Sequence, residues 1–191
     1  MNLTVAQENT RSKIPSQIFA LLVACASIMM MFAAFTSAYI VRQAAGNWLE
    51  FRLPNVFFVN TAVILLSSLT AHMAYRSYIK GNGQMYRLLL VVTFMLGLSF
   101  VALQYQGWLA MKEIGVELTT NPSGSFIYVI SGVHVAHVLG GLAALAIALL
   151  HAYTLPYKVT EKRKLRFEMT LIYWHFVDLL WVYLLVFFII Q

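Results

Sequence analysis

Charged side chains are scarce in this chain. They make up 10% of its 191 residues, and only 7 of them are acids. A soluble domain carries about 25% charge. So little charge cannot coat a water-facing surface when 61% of the residues are hydrophobic, which excludes an ordinary soluble globule. Cysteine is nearly absent as well. The single Cys25 lies in the first apolar stretch, which excludes an internal disulfide and reads as a small buried side chain. The 4 prolines stay at the edges of apolar stretches, as Pro15, Pro54, Pro122 and Pro156. Nothing at the start resembles a cleaved signal peptide, whose apolar core runs about 7–15 residues. The first apolar run extends from Pro15 to about Val41, long enough to remain in a membrane.

What is present is length in the apolar runs. A spanning helix needs about 20 mostly apolar residues to cross ~30 Å of hydrocarbon. Five stretches meet this: approximately 15–41, 54–78, 85–111, 124–151 and 167–190. Punctuation supports the divisions. Gly81-Asn82-Gly83 is a turn signal, and Asn121-Pro122-Ser123-Gly124 marks entry to the fourth span. No soluble domain, repeat or long linker is visible. The sequence therefore predicts an all-α polytopic membrane protein, residues 1–191 forming one bundle of five transmembrane helices.

The net charge of +6 is unevenly placed. Five spans put the N-terminus, the second–third connection and the fourth–fifth connection on one side. That side holds Arg11, Lys13, Arg76, Lys80, Arg87, Lys158, Lys162, Arg163, Lys164 and Arg166. The other holds Arg42, Arg52 and Lys112. The bias makes the N-terminus cytoplasmic. The run Glu161 to Lys164 reads as part of a short connection. Lys162, Arg163, Lys164 and Arg166 are expected to meet anionic lipid headgroups. No basic patch sits on a folded domain, so nucleic acid is not an expected partner.

Polar groups inside the spans are costly without partners. The fourth span carries His134 and His137, followed by Gly140 and Gly141. The fifth carries His175 and Asp178. Each pair is spaced i, i+3 and so lies on one helix face. Counting rise per residue places both pairs near mid-membrane, where they could meet if the two helices are neighbours. His72 and Glu168 match in depth nearer the inner side. Three readings stay open: a structural hydrogen-bond network, a metal or haem site, and a proton path. Asn60, Thr61, Gln104 and Gln106 read as interhelix hydrogen bonds. Trp48 and Trp108 read as interfacial anchors.

These residues resemble a known family. Gly132-x-His134-x-x-His137-Val138-x-Gly140, followed by Tyr173-Trp174-His175-Phe176-Val177-Asp178-x-x-Trp181, is similar to subunit III of haem-copper terminal oxidases such as cytochrome c oxidase. Pro54, Asn60-Thr61 and Ala71-His72 extend the likeness, and five spans suit the short bacterial form. The resemblance implies a non-catalytic, non-redox accessory subunit of a respiratory complex in a bacterial inner membrane. Haem and copper would sit in partner subunits I and II, with subunit I the direct partner. The chain itself would have no catalytic, cofactor or metal residue. It would hold phospholipid and support proton uptake during oxygen reduction. A quinol oxidase subunit and a haem-binding membrane cytochrome are the alternatives. The family's first shared helix carries a buried glutamate where Ser27 stands here. An acid that follows the glutamine at the end of the third span is replaced by Gly107. These departures favour a structural or lipid-organising role.

Overall fold

The computed structural model describes residues 15–119 and 121–191. Arg11 and Lys13, both counted in the charge bias, lie outside the described residues. Five helices follow in order: α1 (Ser16–Ala44), α2 (Val56–Ile79), α3 (Gly83–Glu113), α4 (Pro122–Thr154) and α5 (Glu161–Ile190). Each is long and apolar enough to cross a membrane. Helices α2 to α5 form a closed ring in which each packs on its chain neighbours and α5 returns to α2. Short connections make such neighbours antiparallel. Helix α1 lies outside the ring, against α4 and α5.

Local chemistry sets the helix ends. Gly81 turns the chain at φ 83°, and the Asn82 side chain caps α3 by accepting from Met85 N–H. The Asn121 side chain caps α4, and Pro122 takes the first turn, where its missing N–H is not needed. Helix α5 begins at Glu161, earlier than the apolar run suggests. Thr160 caps it by accepting from Arg163 N–H. Hydropathy marks only the part of a helix that lies in lipid. Lys162, Arg163, Lys164 and Arg166 therefore ride on the first two turns of α5 rather than in a loop.

Helix α5 supplies the centre of the core. Trp174, Val177, Trp181, Leu184 and Phe188 recur at three- and four-residue spacing, and all are buried. The Trp174 indole wedges between α3 and α4. A Cβ added at Gly97 or Gly141 would lie 2.8 Å from its nearest side-chain neighbour, with a Trp174 ring atom no farther than 2.9 Å. Trp174 Nε1 donates to Ser67 Oγ on α2 at 3.1 Å. Two turns on, Trp181 Nε1 donates to Thr61 Oγ1 at 2.9 Å, also on α2. Its ring stacks on Phe57 and meets Phe100 edge-on. Helix α1 is attached more lightly. Thr36 Oγ1 bonds Tyr183 OH at 2.8 Å, and Phe32 is fully buried. Cys25 is a buried free thiol, as its apolar setting implies.

The outer surface is apolar. Met30 is 74% exposed, and Leu66, Met95, Leu139 and Ile147 are each about half exposed. Patches of that extent belong in lipid rather than water. Replacing Gly141 with valine should force Trp174 out of its slot. Overpacking of this kind costs ~1–3 kcal/mol. The expected result is a lower thermal midpoint in detergent, followed by near-ultraviolet circular dichroism of the tryptophans.

Candidate functional site

The polar residues inside the bundle fall into three groups, separated by which helices they join. On the α1 side, His134 is completely buried. Rings from three other helices surround it: Phe32 at 6.3 Å, Phe100 at 5.9 Å and Trp181 at 5.1 Å between centroids. Neither ring nitrogen has a hydrogen-bond partner among the described residues. One turn on, His137 packs edge-on to the same Phe32, at 5.7 Å. Its Nδ1 lies 2.8 Å from the Val133 carbonyl of its own helix. The His137 carbonyl accepts from Tyr173 OH at 3.1 Å.

On the α2 side, His175 Nδ1 bonds Ser68 Oγ at 2.5 Å. The His175 and His72 rings are 6.1 Å apart. Tyr75 OH donates to Glu168 Oε1. Asp178 is 2% exposed, and neither carboxyl oxygen has a hydrogen-bond partner among the described residues. The Ser68 hydroxyl is engaged with His175 instead.

The expected meeting of the two i, i+3 pairs does not occur as a hydrogen bond. His134 and His137 face Phe32 of α1, whereas His175 faces Ser68 and His72 of α2. Depth matching fixes height along the membrane normal but not azimuth around a helix. The match between His72 and Glu168 is displaced by one turn: Glu168 does reach α2, through Tyr75. Sequence reasoning did not single out Ser67, Ser68 or Tyr75. Their signal was available, since Ser68, His72 and Tyr75 recur at i, i+4, i+7 on one face.

A third group joins α2 to α3. Asn60 Nδ2 donates to Gln104 Oε1 at 2.8 Å, both buried. Thr61 serves as the Trp181 acceptor, so the expected interhelix role is present for Asn60, Thr61 and Gln104, whereas Gln106 is exposed and makes no side-chain hydrogen bond among the described residues. Trp108 differs from expectation. Its indole N–H donates to Ser131 Oγ on α4 at 2.9 Å rather than lying free for a headgroup. Gly107 is closed over by Phe57, whose ring would lie 3.2 Å from an added Cβ. A glutamate there would displace that ring. Ser27 is exposed, and its hydroxyl bonds back to the Val23 carbonyl at 3.0 Å.

At the end carrying the α2–α3 turn, a groove of about 460 Å³ opens between α1, α4 and α5. Leu21, Ile147, Ala148 and Phe167 form apolar wall, and Lys158, Arg163 and Arg166 stand on its lining. Arg163 also donates to the Pro156 carbonyl at 2.7 Å. Lys162 and Lys164 do not line the groove. Elsewhere, no three His, Cys, Asp or Glu side chains converge on one point among the described residues.

Because neither Asp178 carboxyl oxygen has a hydrogen-bond partner among the described residues, its removal should break no hydrogen bond there. Asp178→Leu is expected to leave the thermal midpoint of the purified chain unchanged or raised. A midpoint lowered by several degrees would mean that the carboxyl is bonded.

The chain was compared with known proteins. The family profile described as Cytochrome c oxidase subunit III matches residues 18–190. A Nocardia farcinica (strain IFM 10152) protein named "Probable cytochrome c oxidase subunit 3" is 33% identical, over 82% of this chain and 78% of that protein. Cytochrome c oxidase subunit 3 of Cyprinus carpio is 35% identical over 67% of this chain. That of Rattus norvegicus is 33% identical over 67%. The chain covers only about half of each of these two animal proteins, 47% of their length. A profile that matches from α1 through α5, together with a bacterial relative aligned over most of both chains, shows that this multi-pass membrane chain belongs to the cytochrome c oxidase subunit III family.

Proposed function

We propose that the chain is an accessory, non-redox subunit of a haem-copper respiratory oxidase in a bacterial inner membrane. It packs directly on subunit I, stabilises that subunit, holds lipid and supports proton uptake while subunits I and II reduce oxygen to water. The observation that carries this reading is the family match, which runs from α1 through α5. His134 is boxed by three aromatic rings, His137 is turned onto its own helix, and His175 is held by Ser68. An axial haem ligand needs an open face and a free ring nitrogen aimed into it. His134 has nitrogens free but no open face. His72 and His175 keep free ring nitrogens on the α2–α5 seam, so the assignment of the haems and copper to partner subunits, where their redox chemistry would occur, rests on family membership.

Lipid holding is supported by the groove beside the basic end. Its apolar walls suit an acyl chain, and Arg163 and Arg166 suit a phosphate. Lys162 and Lys164, exposed or half-buried on the same turns of α5, extend the cationic rim. Proton uptake is supported by the polar seam between α2 and α5. It begins at Glu168 and Tyr75 and continues through His72, His175 and Ser68 toward Asp178. The cytoplasmic N-terminus is supported by the basic side chains gathered at one end of the bundle, by the positive-inside rule.

Purification from native membranes should bring down haem-bearing chains with this one. The chain freed of them should show no haem absorption band. A stoichiometric band kept by the isolated chain would instead make it a membrane cytochrome. For the groove, Arg163→Gln with Arg166→Gln should weaken binding of an anionic lipid by the detergent-purified chain. At about 1 kcal/mol per basic residue, the loss is roughly fivefold for each, and it should shrink as salt is raised. Binding unaffected by both salt and substitution would remove the headgroup role.

A further inference from the structure

We infer that the seam between α2 and α5, centred on His72 and His175, is the face that receives a membrane-spanning helix of a partner chain. That helix would offer hydrogen-bonding side chains near mid-membrane depth. The inference rests on the reading of the chain as an oxidase subunit and says which surface the association uses.

The seam gathers five polar side chains in one place, whereas the outer faces of α3 and α4 are mainly apolar. Ser68, His72 and Tyr75 line one face of α2, and Glu168 and His175 face them from α5. All five are half-buried rather than enclosed. The outward residues of α3 and α4 include Leu88, Met95, Leu98, Leu139 and Ile147, all apolar and exposed. Depth makes the contrast costly. At ~1.5 Å per residue, His175 lies roughly 12 Å beyond Phe167, where the apolar stretch of α5 begins, and His72 about 10 Å inside the end of α2. The only hydrogen bond that these two imidazoles make among the described residues is His175 Nδ1 to Ser68. Three ring nitrogens are left over.

Acyl chains cannot satisfy them, because hydrocarbon offers no donor or acceptor. A lipid headgroup cannot reach them either, since phosphates lie at the membrane edge and His175 lies well inside the apolar stretch. A protein helix can do both. Small side chains such as Ser68 let backbones approach closely, and polar side chains crossing between helices are the usual adhesive in lipid. The partner helix is thus identified by chemistry: a carboxylate, amide or hydroxyl at the level of His175, flanked by small or apolar residues.

Leu65 precedes Ser68 by three residues on the α2 face, and Leu179 follows His175 by four on α5. Both are exposed. A photo-crosslinking amino acid placed at either position, in the complex assembled in native membranes, should label one partner chain. The same probe at Met95 or Leu139 should label lipid only. In addition, His72→Leu, which breaks no hydrogen bond among the described residues, should cause loss of the partner on detergent extraction, while the thermal midpoint of the chain itself is retained. Lipid adducts alone at positions 65 and 179, a crosslink to a second copy of this chain, or partner labelling from positions 95 and 139 would overturn the assignment. If no haem-bearing chain co-purifies at all, the oxidase-subunit reading fails. If one co-purifies but positions 65 and 179 label only lipid, the seam alone is wrong.

Discussion

The Trp174 indole occupies a slot that exists because Gly97 and Gly141 have no side chains. Its N–H reaches across to Ser67 on α2. One residue thereby touches α2, α3 and α4 from a base on α5. Trp181 does the same two turns further along, with Thr61 as acceptor and Phe57 and Phe100 as walls. In a bilayer no hydrophobic force drives helices together, so association depends on close packing and interhelical hydrogen bonds. Each indole supplies both. The ring geometry of α2 to α5 follows from these two contacts, and α1 is left to attach from outside.

That packing also sorts the polar groups. Placing Trp181 in the core turns His134 into a cage shared with Phe32 and Phe100. An imidazole there behaves as an aromatic filler. Placing Trp174 and Val177 inward swings His175 to the α2 side, where Ser68 holds it. The set of four residues that looked like one site in sequence is divided by α5 itself. His134 and Asp178 are buried, His137 turns toward Phe32, and His175 lines an open seam.

The two ends of the bundle differ in the same physical terms. At one end, α5 starts before its apolar stretch and lifts its basic residues along the first turns, beside a groove with apolar walls. At the other, Trp108 and Tyr128 tie α3 to α4 through Ser131 and the carbonyls of Trp108 and Val116. A surface that is mainly apolar around its middle, cationic at one end and polar along the α2–α5 seam suits a subunit bounded mostly by lipid and partly by protein. Family membership makes the chain a subunit of a haem-copper oxidase.

The sequence by itself determined the number of spans, their approximate limits and the family. Twenty-residue apolar runs have one low-energy form in hydrocarbon, and the Tyr173 to Trp181 motif needs no structure to be recognised. It also determined that Asn60, Thr61 and Gln104 link helices, since amides and hydroxyls in lipid must find partners. It could not place Lys162 to Arg166 on a helix, because hydropathy is blind to helical turns outside the membrane. Only the tertiary structure decided which polar residues meet. Depth along the membrane can be counted from the chain, but the azimuth of each side chain depends on how neighbouring helices pack. That packing sends His134 to Phe32, His175 to Ser68 and Glu168 to Tyr75.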